Sequence, residues 1–162
     1  MQKHIKTIQR SSRLGLWGSV AAVILTVAFI YAAPWRFYPS AHTSQWMLIV
    51  GSVLAVLAVS MVLLTVRRRV PQLRQAEGLE TKLAGYAAHV RETYLSMFGV
   101  VLVLCLFTLF ADRSVMLMLA LVSTLVLVLM FPNIYRIKVD LGLTDEEMRM
   151  LFGDRYIGGD AQ

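Results

Sequence analysis

The stretch that decides the fold is residues 93–131, TYLSMFGVVLVLCLFTLFADRSVMLMLALVSTLVLVLMF. It holds two apolar runs, Thr93 to Ala111 and Ser114 to Phe131, parted only by Asp112 and Arg113. Neither run contains an Asp, Glu, Lys, Arg or His. About 20 helical residues cross the roughly 30 Å of a bilayer's hydrocarbon. An open strand cannot cross, because its backbone groups would find no partners in lipid. The alternating pattern of a barrel strand is missing as well. The two runs therefore read as spanning helices, and so short a connection forces them into an antiparallel hairpin.

Toward the N-terminus lie two more runs of the same kind, Leu14 to Ala33 and Trp46 to Val66. The basic start, Lys3 to Arg13, would suit a signal peptide, but the apolar core is long for one and Pro34 follows Ala32-Ala33. The first run is expected to be a retained span. The expected fold is an all-α membrane protein: four transmembrane helices in two antiparallel hairpins, with short cytoplasmic amphipathic helices.

Composition agrees. The chain has 162 residues, 57% hydrophobic and only 16% charged, against about 25% charged in a soluble domain. A net charge of +6 could suggest nucleic acid. The basic residues flank the apolar runs instead, with no basic, aromatic-interleaved stripe, so the expected partner is anionic lipid and no nucleic acid is expected.

The basic residues also orient the chain. Lys3, Lys6, Arg10 and Arg13 precede span one; Arg67, Arg68, Arg69, Arg74, Lys82 and Arg91 lie between spans two and three; Arg136, Lys138, Arg149 and Arg155 follow span four. Arg36 and Arg113 alone fall in the other two loops. Four crossings place 14 of 16 positive charges on one side, and positive loops stay cytoplasmic. Trp17, Tyr94 and Tyr135 then fall near the inner boundary, and Tyr31, Trp35, Tyr38 and Trp46 near the outer one. The aromatic loop Pro34 to Gln45 is expected on the outer surface. The resulting segments are a basic N-terminus (1–13), a first hairpin (14–66), a cytoplasmic linker (67–92), a second hairpin (93–131) and a cytoplasmic tail (132–162). An inner-membrane location with both ends inside follows.

Small residues suggest how the helices pack. Gly15, Ser19, Ala22 and Thr26 share one face of span one, and Gly51, Ala55 and Ala58 one face of span two. Small residues let backbones approach where lipid supplies no hydrophobic drive. These faces are expected to meet each other or another subunit. Spans three and four, rich in Leu, Val, Phe and Met, look more lipid-facing, with Ser123 and Thr124 as inward points.

Pro71 is expected to break the second helix. Leu79, Leu83, Tyr86 and Val90 share a face, so an amphipathic helix is expected to run directly into span three, weakened by Gly78 and Gly85. Pro132-Asn133 loosens the end of span four. Ile134, Ile137 and Leu141 suggest a further short amphipathic helix stopped by Gly142. Thr144 to Glu147 has the form of a capping box opening a last helix with an apolar face of Met148, Leu151 and Phe152. Gly78-Leu79 and Gly142-Leu143, one pair after each hairpin, are a faint internal echo.

Chemistry-bearing patterns are sparse. No span carries the carboxylate or other ionisable group through which autonomous ion-coupled transporters work. His4, His42 and His89 lie on separate segments without metal-ligand spacing. Cys105 sits alone in an apolar run. No nucleophile motif or phosphate loop is present. No catalytic residue, metal or cofactor is expected. His89, Arg91 and Glu92 form a charged turn at the inner boundary, and together with Lys82, Tyr86, Arg136 and Asp140 they are the candidate cytoplasmic interface. Arg67, Arg68 and Arg69 are the candidate contacts to lipid headgroups.

From Leu79 to Leu151 the chain resembles a group of uncharacterised four-span inner-membrane proteins of Bacteroidetes. The resemblance rests on Lys82-Leu83, Tyr86 and Arg91, then on Tyr135-Arg136, Ile137, Asp140-Leu141, Leu143 and the acidic run Asp145 to Glu147. It implies a fold and an envelope location, and no activity. The expected function is a non-enzymatic scaffold or accessory subunit, forming homo-oligomers or joining other membrane-protein subunits. The alternatives are a component of an oligomeric transporter or pore, lined by Ser52, Ser60, Thr65, Ser96 and Thr108, and a lipid-acting enzyme at the inner interface.

Overall fold

The computed structural model describes residues 2–32, 41–110 and 113–153, the side chains of 41, 42, 110, 113 and 114 excepted. Parts of the expected outer loop, including Trp35, Arg36 and Tyr38, lie outside the described residues, as do Asp112 of the tight turn and the tail after Gly153.

The fold is all-helical, with no strand among the described residues. In order it runs α1 (Gln2–Ala32), α2 (Ala41–Gln75), α3 (Leu79–Phe110), α4 (Arg113–Leu129), α5 (Ile134–Leu141) and α6 (Asp145–Phe152). Three of these, α1 to α3, are long and apolar enough to cross a membrane. The fourth candidate is shorter: α4 has 17 residues, about 26 Å of rise, and turns by 76° into α5. Pro132 explains the turn, because it has no N–H with which to continue the ladder.

The core is organised around α3. Leu83, Tyr86, Val90, Tyr94, Met97, Val101, Leu104 and Thr108 are buried along it at steps of three and four, a continuous seam. α1, α2 and α4 all pack on this helix. The lipid-facing role expected for span three is therefore wrong. Its inward seam was hidden because the outward positions, such as Leu102 and Leu106, are equally apolar. α4 does turn a broad face outward, with Met118, Leu121, Val122, Leu125 and Leu129 exposed and Met116, Ala120, Ser123, Thr124 and Leu127 buried.

The small-residue faces of α1 and α2, expected to meet each other or another subunit, instead each pack on a bulky neighbour within the bundle. A Cβ added to Gly15 would lie 2.9 Å from the Tyr94 Cβ and 3.0 Å from its carbonyl oxygen, so the backbones of α1 and α3 touch there. Gly51 receives the Met116 thioether of α4 and the Phe107 ring of α3. Ala55 packs with Val101, Leu104 and Met116, and Ala58 against a second group of apolar residues that includes Val62 and Met97. A bulky side chain on one helix thus fills the hollow left by a small one on the other. Ser12, Ser19, Thr26, Thr108 and Thr124 donate to carbonyls a turn back on their own helices, at 2.8 Å each. Their hydroxyls are satisfied within their own helices, and that of Thr26 on α1 also meets the Cys105 thiol on α3.

Pro71 does not break α2, contrary to expectation. The helix runs on to Gln75. Proline removes a single ladder bond there, and the last turn is held from outside. Leu73 packs over Gly85 of α3, and Arg74 reaches α5. The chain turns instead at Gly78, whose φ of 86° suits glycine. As expected, α3 then starts at Leu79 and continues without a break into the span. Asn133 caps α5, accepting from the Arg136 N–H, and Gly142 ends it with φ 61°. Thr144 and Glu147 form the reciprocal capping box of α6.

Candidate functional site

Polar side chains gather at the end of the bundle that carries α5 and α6. The reason is backbone accounting. Each helix end leaves carbonyls without intrahelical partners, and buried ones must be satisfied by something else. α4 stops at a proline, so its last carbonyls are orphaned. The Tyr94 hydroxyl of α3 donates to the Leu127 carbonyl at 2.9 Å, and the Arg136 guanidinium of α5 to the Leu129 carbonyl at 2.6 Å. α5 ends soon after, and Arg74 of α2 donates to the carbonyls of Val139 and Asp140 at 2.5 and 3.0 Å. A cation at a helix C-terminus also suits the helix dipole.

Asp140 is the junction of this network. Its carboxylate accepts the Tyr86 hydroxyl at 2.9 Å and lies 3.6 Å from the Arg136 guanidinium. Through Asp140 and its carbonyl, α5 is tied to both α3 and α2. Burial, then the neighbouring carboxylate of Asp140, push the Tyr86 phenol far above its ordinary range, so it stays a neutral donor. Beneath the network lie Leu83, Val90, Ile137, Leu141, Met148 and Leu151, a packed apolar floor.

His89 stands one helical turn from Tyr86, its ring edge-on to the phenol. It is 5% exposed, and its Nδ1 is buried with no partner among the described residues. Burial, reinforced by the Arg69 guanidinium, pushes its pKa below the ordinary value, although Glu92 and Asp140 pull the other way. At neutral pH the ring is uncharged. Arg69 and Glu92 form an exposed pair at 2.7 Å across α2 and α3.

Of the expected interface residues, Tyr86, Arg136 and Asp140 come together, while His89 and Glu92 flank them. Lys82 and Arg91 stay outside the network. Arg67 and Arg68 are exposed at the end of α2. Two members were not singled out from sequence, Arg74 and Tyr94. Their signal was indirect: a span ending at Pro132 has orphaned carbonyls, and long donors near its level were the candidates to serve them. Of the polar residues named for a pore, Thr65 and Ser96 line one cleft between α2 and α3, whereas Thr108 is buried and bonded to its own helix.

The network ties α5 to α2, α3 and α4. Among the described residues, no three His, Cys, Asp or Glu side chains converge as metal ligands would. No family model, curated protein or solved structure matches the chain. What the fold defines is a class, an all-helical bundle with three or four helices able to span a membrane.

Proposed function

We propose that the protein is a four-span inner-membrane protein with both ends in the cytoplasm, acting as a non-enzymatic accessory or scaffold subunit that presents α5 and α6 to a partner. The observation that carries this reading is the clamp on Asp140. It holds a short helix rigidly against the ends of the long ones, a device for display. Tyr135 and Val139, a turn apart on α5, and Met150 on α6 are large apolar residues left exposed on the displayed pair.

The membrane part of the reading is supported by exposed Leu25, Leu57, Met61, Leu106, Met118 and Leu129 on four helices, an apolar surface far beyond that of a soluble monomer. The charge partition supports four spans and the cytoplasmic ends, with α4 as the short fourth span and α5 lying along the inner surface after the bend.

Two measurements test it. Single cysteines at positions 42 and 80, in a chain with Cys105→Ser, are labelled with a membrane-impermeant thiol reagent in intact cells. Position 42 is expected to react and position 80 only after permeabilisation; equal access from one side overturns the topology. Affinity purification of the full chain from native membrane should then recover a stoichiometric membrane-protein partner or a homo-oligomer. A strict monomer without companions overturns the scaffold reading.

A further inference from the structure

A cleft of about 470 Å³ runs between α2 and α3. Buried Val62 and Met97 lie in its floor, and exposed Leu57 and Met61 form one wall. At one end its character changes: Arg69, His89 and Glu92 close it. An apolar trough that ends in charge has the polarity of a bilayer lipid. Its length fits too. From His89 to Val100 the α3 side rises about 16 Å, and from Arg69 to Leu54 the α2 side about 22 Å. Both are long enough to span the roughly 15 Å of one hydrocarbon leaflet.

The charges select the headgroup. Arg69 gives one Nη to Glu92 at 2.7 Å, and a guanidinium has five N–H donors in all. Arg67 and Arg68 are exposed beside it in sequence. Of the three, Arg69 alone lines the cleft; Arg67 and Arg68, turned about 200° and about 100° round the helix from it, add positive charge at the same level without facing Glu92. This excess of positive charge complements a phosphate diester and repels a choline cation. We infer that the α2–α3 cleft is a binding site for one anionic phospholipid, with an acyl chain along Val62 and Met97 and the phosphate at Arg69. The site rests on the membrane reading above and adds to it a defined ligand. Glu92 acts as a competitor, holding Arg69 when the lipid is away.

Native mass spectrometry of the full-length protein tests this. The chain is released from detergent micelles doped equally with palmitoyl-oleoyl phosphatidylglycerol and the matching phosphatidylcholine. Both lipids offer Arg69 the same phosphate, and only phosphatidylcholine adds a cation that the neighbouring guanidiniums repel, so the single-lipid adduct should favour phosphatidylglycerol by about tenfold. Arg69→Gln should bring it down to the phosphatidylcholine level. Glu92→Gln frees the guanidinium and should raise it severalfold, a gain that no misfolded chain would give. Ala58→Phe fills the trough and should reduce adducts of both lipids, whereas Arg10→Gln on α1 should change nothing. Equal adducts of the two lipids, indifference to the Arg69 and Glu92 changes, or full adducts in the Ala58 variant would each overturn the site. A chain that stays monodisperse without detergent would instead refute the membrane reading itself.

Discussion

The Tyr86 hydroxyl of α3 donates to the Asp140 carboxylate of α5 at 2.9 Å, across 54 positions of sequence. This bond joins the longest seam in the bundle to a helix of eight residues. A helix so short is marginal alone, and its geometry has to come from tertiary partners.

Replacing Tyr86 by Phe should destabilise the protein by about 1–2 kcal/mol, the worth of a hydrogen bond to a charged acceptor. Asp140→Ala should cost more, about 2–3 kcal/mol, because it leaves a buried phenol without an acceptor. The double variant should cost less than the sum of the two, with a coupling of about 1 kcal/mol. Reversible unfolding in mild detergent measures all three, and strict additivity would mean that the bond contributes nothing.

Two glycines in apolar surroundings should respond oppositely to alanine. At Gly15 the new methyl would meet the Cβ and carbonyl oxygen of Tyr94, and backbone cannot move aside cheaply. Gly15→Ala should cost about 1–3 kcal/mol. At Gly99 nothing lies within 4 Å of the added carbon. Gly99→Ala should be neutral or stabilising by up to about 1 kcal/mol through helix propensity. Comparable losses at both sites would refute the close approach of α1 to α3.

These cases show what the sequence could reveal. Caps, the stop at Gly142 and the seamless start of α3 at Leu79 depend on near neighbours, and they were readable. Gly15 was readable as small but not by what fills it, because the filler, Tyr94, is 79 positions away and the run it opens, Thr93 to Ala111, is apolar on every side. Pro71 misled because local chemistry favours a break, while Leu73 and Arg74 are held by partners in α3 and α5. Asp140 was readable only as one residue of the candidate cytoplasmic interface, four positions after Arg136. Its role as a junction needed the bend at Pro132, which turns α5 back toward α2 and α3.

His89 supplies a pH test. Its pKa is lower in the folded chain than the ordinary 6.5, so as pH falls through that value the unfolded chain takes up a proton that the folded chain refuses. The stability His89 contributes is complete above about pH 6.5 and is lost as pH falls below it. Arg69 reinforces this fall, whereas Glu92 and Asp140 temper it. His89→Leu should remove the unpartnered Nδ1, leave stability at pH 7.5 within about 1 kcal/mol, and flatten the decline between about pH 7 and 5. An unchanged slope would show that the imidazole is as easily protonated in the folded chain as in the unfolded one.

The displayed face of α5 gives the sharpest separation of folding from function. Tyr135 is 65% exposed and Val139 63% exposed. They contribute little to the core beneath, which is Ile137 and Leu141. Changing both to Gln should alter stability by no more than about 0.5 kcal/mol each, as for other surface positions. If α5 exists to be bound, the same change removes the apolar anchor of the interface and should cut recovery of a co-purifying partner about tenfold, a loss typical of an anchor residue. The Ile137→Ala variant is the converse control: it should weaken the fold by about 2–5 kcal/mol through the cavity it leaves. Full partner recovery by the Tyr135/Val139 variant would mean that the exposed pair faces lipid headgroups instead, and that the binding surface of this protein lies elsewhere on the bundle.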